Sequence, residues 1–156
     1  MTNFDVRRVH MYFSLCHQVK SILSDYDKTW FIAGGWAIDL FLGRETRSHG
    51  DIEIAIFRID QFSLKSYLED WEIKKVIDGT FHEWKNEQLV HPIYELHASH
   101  KHSNMKMEIL LNENYQSDWI FRRDSRIKLH EKSIFNISED GIPYLKPEII
   151  LLYKAN

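Results

Sequence analysis

The stretch that decides the fold is Gly34–Ile54, GGWAIDLFLGRETRSHGDIEI. In front of it Trp30-Phe31-Ile32-Ala33 has the character of a short strand, Gly34-Gly35 supplies a turn, and the apolar segment from Trp36 to Gly43 reads as a helix. After a polar loop, Asp51-Ile52-Glu53-Ile54-Ala55-Ile56 alternates acid with apolar residue. Residues two apart on a strand share a face, so Asp51 and Glu53 project together while Ile52, Ile54 and Ile56 point the other way. Two like charges side by side are tolerated where a cation sits between them or where bulk water screens both. Alternation alone fits either case, because the wet face of a half-buried strand reads the same way. The diglycine adds to the first. Although a plain tight turn is the commoner use of such a pair, glycines at a strand-to-helix turn let backbone N–H groups approach a phosphate with the positive helix end behind them. Phosphate on one side and metal-binding acids on the other describe a nucleoside triphosphate with Mg²⁺.

The diglycine followed by LGRETRSHGDIEI resembles the signature of the polymerase-β-like nucleotidyltransferases, and in particular the small antibiotic nucleotidyltransferases, which include the aminoglycoside 2″-adenylyltransferases and lincosamide-modifying relatives. The resemblance implies an α/β (α+β) nucleotidyltransferase fold, a mixed β-sheet with helices packed mainly on one side. By the same resemblance Gly34 and Gly35 hold the triphosphate, Asp51 and Glu53 hold Mg²⁺, and Glu108 in MKMEILL is the candidate third carboxylate. Only its strand pattern together with the resemblance picks Glu108 out from the alternatives Glu83, Glu95 and Glu113. Asp51, Glu53 and Glu108 are thus expected both as metal ligands and as catalytic groups. Two Mg²⁺ ions during turnover, ATP or another nucleoside triphosphate as substrate and a small-molecule acceptor follow from it as well. Glu53 stands where many antibiotic-modifying members carry a second Asp, and the superfamily includes Glu at this place. The C-terminal GIPYLKPEIILLYKA is similar to the end of the nucleotidyltransferase core. The likeness is thinnest from about Asp60 to Lys101.

Other charged residues have two readings each. Arg44, Arg47 and His49 offer donors to a triphosphate, Arg as a fixed fork, and read equally as surface charge on a loop. Asp39, inside the apolar WAIDLFL, is read as a structural hydrogen-bonding residue tied to the Arg44–Arg47 loop rather than a metal ligand. Arg122 and Arg123 read as strand-end surface residues, and Lys154 as either a phosphate contact or a charge at its own helix C-terminus. His97, His100 and His102 lie close together in sequence, but no cysteine joins them, and HASHKHSN reads as a polar hairpin tip rather than a zinc site.

At 156 residues the chain is expected to form one domain over residues 1–156, long enough to bury about 68–70% of its unfolded surface. Hydrophobic residues make up 44% and charged residues 28%, the balance of a soluble globular protein. No apolar run is long enough to cross a bilayer and MTNFDVRRVH lacks a signal-peptide core, so a cytoplasmic protein without membrane contact is expected. A net charge of −3 with no basic stripe argues against a nucleic-acid partner. The single Cys16 rules out an internal disulfide.

Val6, Val9, Phe13, Cys16, Val19 and Leu23 step at helical spacing from about Asp5 to Ser24, with Thr2 or Asn3 as the cap. A second helix is expected from Asp60 to Asp70, a strand from Glu72 to Ile77, a hairpin from Ile93-Tyr94-Glu95-Leu96-His97 back through Met105–Leu111, and short strands at Trp119–Arg122, Arg126–Leu129 and Ser133–Ile137. Pro147 suits the first turn of a last helix through Lys154. The chain stops where related proteins continue into further helical sequence, which leaves room for a homodimer that completes the site or for a binding-only module that keeps the fold without turnover.

Overall fold

The computed structural model describes residues 13–155. The N-terminal half of the first expected helix, with Val6, Val9 and the Thr2 or Asn3 cap, lies outside the described residues. The remainder is α1 (Ser14–Ile22), which buries Cys16 and Val19. β1 (Trp30–Ala33) leads directly into α2 (Gly34–Leu42), which ends on Gly43 in the left-handed conformation that glycine adopts without strain. β2 (Ile52–Phe57) follows, then a 3₁₀ turn at Arg58–Asp60 and α3 (Gln61–Tyr67). Leu64, Leu68 and Trp71 are buried as expected, while Phe62 is exposed.

The rest is mostly strand: β3 (Trp71–Ile77), β4 (Thr80–Glu83), β5 (Glu95–His100), β6 (Lys106–Tyr115), β7 (Asp118–Ile120), β8 (Lys128–His130), β9 (Phe135–Ile137) and β10 (Pro143–Leu145), closed by α4 (Pro147–Lys154). Among the described residues the sheet has ten strands, ordered β4-β3-β5-β6-β2-β1-β10-β9, with β7 and β8 extending from the end of β6. β2 pairs parallel with β6 and β1 parallel with β10, whereas the hairpin partners are antiparallel, so the sheet is mixed.

Ile52, Ile54, Ile56, Met107, Ile109 and Leu96 are all almost completely buried and share one face by strand parity. The first three helices are tied together by Phe13 on Trp36 and Tyr26 on Tyr67. The opposite face is covered only in part. Asn112, on the Glu108 face of β6, accepts hydrogen bonds from Trp119 Nε1 and Tyr153 Oη, both at 3.1 Å. β7 and α4 therefore stand over this face at one end and leave it open near Glu53 and Glu108.

Three elements differ from expectation. β5 runs past the expected end at His97 through His100, and only the residues from Lys101 onward form the hairpin tip, because Leu96 and Ala98 continue the buried alternation. β4 and β10 also form: β4 is an edge strand exposed along its whole length, and β10 begins on a proline.

Candidate active site

Adjacent strands set titratable side chains in a row. Ala33 of β1 is in register with Glu53 of β2, Glu53 with Glu108 of β6, and Glu108 with His97 of β5. Asp51, one residue before β2, reaches the same patch: one donor atom each from Asp51, His97 and Glu108 lie within 4.8 Å of one another. The third acid therefore sits on the same side of the sheet as the pair, directly beside Glu53. His97 Nε2 stands 3.6 Å from Glu108 Oε1 and 3.8 Å from Glu95 Oε1.

The β1–α2 turn flanks this row. Gly34 has φ +64°, and a Cβ added there would stand 2.5 Å from Glu53 Oε2. Both the backbone conformation and the close approach of the acid require glycine. A cavity of about 330 Å³ opens over the turn, lined by Gly34, Gly35, Glu53, Glu108, Arg47 and Lys154 among others. Another part of its wall is Arg122, whose guanidinium lies 3.6 Å from the Tyr94 ring centre and 5.2 Å from that of Tyr153. Stacking of this kind holds the guanidinium plane in place while its N–H groups stay available.

Burial, and then the charge of Glu95, push the Glu53 carboxyl above its ordinary value, against the pull of Lys154 and His49. Glu108 is raised too, by burial and by Glu53, with His97 opposing. Each carboxyl thus gains by taking up a proton or a cation, and a hard divalent ion with oxygen ligands fits this donor set.

Of the residues expected at a site, Glu53, Glu108, Gly34 and Gly35 line one cavity, and Asp51 lines a neighbouring one while reaching Glu108 and His97. Arg44 is exposed and outside the cavity lining, and its backbone N–H donates to Asp39 O at 3.2 Å. Arg47 of the same loop lines the cavity instead. The His49 side chain is only 6% exposed and lies beneath the turn rather than in the cavity: its Nε2 is 2.6 Å from Asp39 Oδ2, and its ring packs 4.9 Å from that of Trp36. A Cβ on Gly35 would come within 2.5 Å of His49 Nδ1.

Asp39 is fully buried and also accepts from Thr46 Oγ1 at 2.6 Å and Thr46 N at 3.2 Å. Burial alone would raise its carboxyl, but the hydrogen bonds from Thr46 and His49 outweigh burial and hold it below the ordinary value. Its loop partners are thus Thr46 and His49 through their side chains, not the arginines, and the knot fixes the loop that delivers Asp51.

In the sequence Glu95 ranks only as an alternative third acid, His97 reads as the edge of a polar hairpin tip, Arg122 reads as a strand-end surface residue, and Tyr94 has no expected role. The alternation Glu95-Leu96-His97-Ala98 carried the signal for the first two, had it been extended through HASH. His100 projects from the other face of β5, against Trp71 and His102, so the three close histidines make no common cluster. Arg123 donates to Tyr153 O at 2.8 Å, at the end of α4.

The aminoglycoside-2″-adenylyltransferase family model matches residues 15–141. Over 41 residues the chain is 44% identical to a 2″-aminoglycoside nucleotidyltransferase of Klebsiella pneumoniae, a match spanning 26% of this chain and 23% of that protein. Among solved structures, ANT(2″)-Ia in complex with adenylyl-2″-tobramycin superposes with a TM-score of 0.62 at 16% identity, covering 96% of this chain and 75% of that one. The lincosamide antibiotic adenylyltransferase LnuA, lincomycin-bound, gives a TM-score of 0.60 at 18% identity, covering 90% and 84%. At these identities the two structures show a common fold. No helix among the described residues is long and apolar enough to cross a membrane. With a family model spanning most of its length laid over a nucleotidyltransferase sheet, the chain belongs to the aminoglycoside-2″-adenylyltransferase family, within the polymerase-β-like nucleotidyltransferases.

Proposed function

We propose that this chain transfers a nucleoside monophosphate from ATP or another nucleoside triphosphate to a hydroxyl of a small aminoglycoside-like or lincosamide-like molecule, releasing pyrophosphate. The observation that carries this reading is the pairing of Glu53 with Glu108 on adjacent parallel strands beside Gly34, with Asp51 reaching the same patch.

Asp51, Glu53 and Glu108 would hold Mg²⁺, which when bound screens phosphate charge and lowers the pKa of the acceptor hydroxyl. Gly34 and Gly35 leave the turn backbone bare to the triphosphate at the start of α2, and Arg47 and Lys154 bring positive charge to the same cavity. The acceptor oxygen attacks the α-phosphorus, a new P–O bond forms as the bond to the β-phosphate oxygen breaks, and pyrophosphate leaves with the electron pair. Glu108, whose raised carboxyl suits a base, takes the acceptor proton.

The test is pyrophosphate release from ATP and Mg²⁺ with an aminoglycoside or a lincosamide supplied. Turnover requires the metal and falls on the order of 10³-fold in Asp51→Asn, with the circular dichroism spectrum unchanged. Full activity in that variant overturns the assignment. ATP binding without pyrophosphate release for any acceptor would leave a binding-only module.

A further inference from the structure

The cluster in which three donor atoms actually converge is not the carboxylate trio but Asp51, His97 and Glu108, all within 4.8 Å of one another. The His97–Glu108 separation of 3.6 Å is too long for a hydrogen bond. It is close to the roughly 3.4 Å that separates two donors each about 2.1 Å from a tetrahedrally coordinated ion. Asp51 and His97 also line a second cavity of about 240 Å³, together with Glu72, Lys74, Phe81 and Lys106, so both donors face open space. The ring is steadied there by Phe81, whose ring centre is 4.5 Å away, and Glu95 lies 3.8 Å from its Nε2.

We propose that His97 completes a mixed nitrogen–oxygen site with Asp51 and Glu108 that binds a first-row transition dication in preference to Mg²⁺. Oxygen donors alone suit Mg²⁺, whereas an imidazole nitrogen adds affinity for later divalent metals and little for a hard ion that keeps its waters. The site shares two acids with the proposed nucleotidyl-transfer centre and rests on that reading for what the ion does in turnover. Its ability to bind stands on the geometry of β2, β5 and β6.

Mn²⁺ is the probe, added to the full chain without nucleotide and followed by electron paramagnetic resonance. The unaltered protein shows ¹⁴N modulation from a ligated imidazole. His97→Gln and His97→Ala lose that modulation and weaken Mn²⁺ binding by about tenfold or more, while Mg²⁺ binding, measured by competition, changes less than about twofold. Absence of ¹⁴N modulation in the unaltered protein, or an equal loss of Mn²⁺ and Mg²⁺ affinity in both variants, overturns the proposal. Pyrophosphate release separates the two readings: nitrogen ligation without turnover removes the nucleotidyl-transfer reading and keeps the metal site, and turnover without nitrogen ligation does the reverse.

Discussion

Asp39 with His49 and Glu108 with His97 each set a carboxyl group against an imidazole within one molecule, and the two are settled in opposite ways. Asp39 is fully buried and accepts from Thr46 Oγ1, Thr46 N and His49 Nε2, so every close neighbour is a donor and its carboxyl lies below the ordinary value. Glu108 is half-buried beside Glu53, among the described residues its nearest charged donor is His97 at 3.6 Å, and its carboxyl lies above the ordinary value. The contrast separates an acid that the protein has satisfied from one that it has left short of positive charge. The first kind holds a loop in place, and the second is the kind of group that the proposed function gives to a metal ion.

Removing the satisfied acid should cost the most. Asp39→Ala leaves His49 and Thr46 facing an empty, buried position, and urea unfolding is expected to show a loss of about 3–5 kcal/mol, the usual range for breaking a buried pair. A loss below about 1 kcal/mol would mean that the knot is dispensable. Gly34→Ala comes next. The left-handed backbone and a Cβ at 2.5 Å from Glu53 Oε2 together predict a loss of about 1–3 kcal/mol, with Glu53 displaced and metal affinity reduced in a Mn²⁺ titration.

The unsatisfied acids predict the smallest change, with the opposite sign. Glu53 has a folded-state pKa raised above the ordinary 4.5, so the folded chain holds that proton more tightly than the unfolded chain does. Its contribution favours folding below the ordinary value and is lost as pH rises through the window between 4.5 and the raised value. Glu53→Gln should therefore make the metal-free protein more stable near neutral pH by about 0.5–2 kcal/mol and flatten this part of its stability–pH profile. A destabilised Glu53→Gln, measured without metal, would place Glu53 in the same class as Asp39.

The satisfied and unsatisfied regions were unequally legible in the sequence. The acid–apolar alternation of Asp51–Ile56 sets one strand face directly and the diglycine marks the turn, but alternation fits a wet strand face equally, and it was the family resemblance that read these residues as a site. Glu108 could be read because Met107 and Ile109 flank it with apolar residues that had to face away. His97 fell at the expected end of its strand, where HASHKHSN is polar enough to read as a loop, and pairing with β6 carries β5 on through His100. His49 looked like a phosphate contact because nothing local shows that Asp39, ten residues earlier and one helix away, turns to meet it. Arg122 meets Tyr94 and Tyr153 from distant parts of the chain, and no spacing rule reports such a stack.

The central proposal is that Asp51, Glu53 and Glu108 together hold a divalent ion beside Gly34. Anomalous diffraction from crystals grown with Mn²⁺ and a non-hydrolysable ATP analogue tests it most directly. The account predicts a peak about 2.0–2.3 Å from oxygens of all three carboxylates, with the triphosphate over the Gly34-Gly35 turn. A triphosphate bound at that turn with no ion touching Glu53 or Glu108 would contradict it.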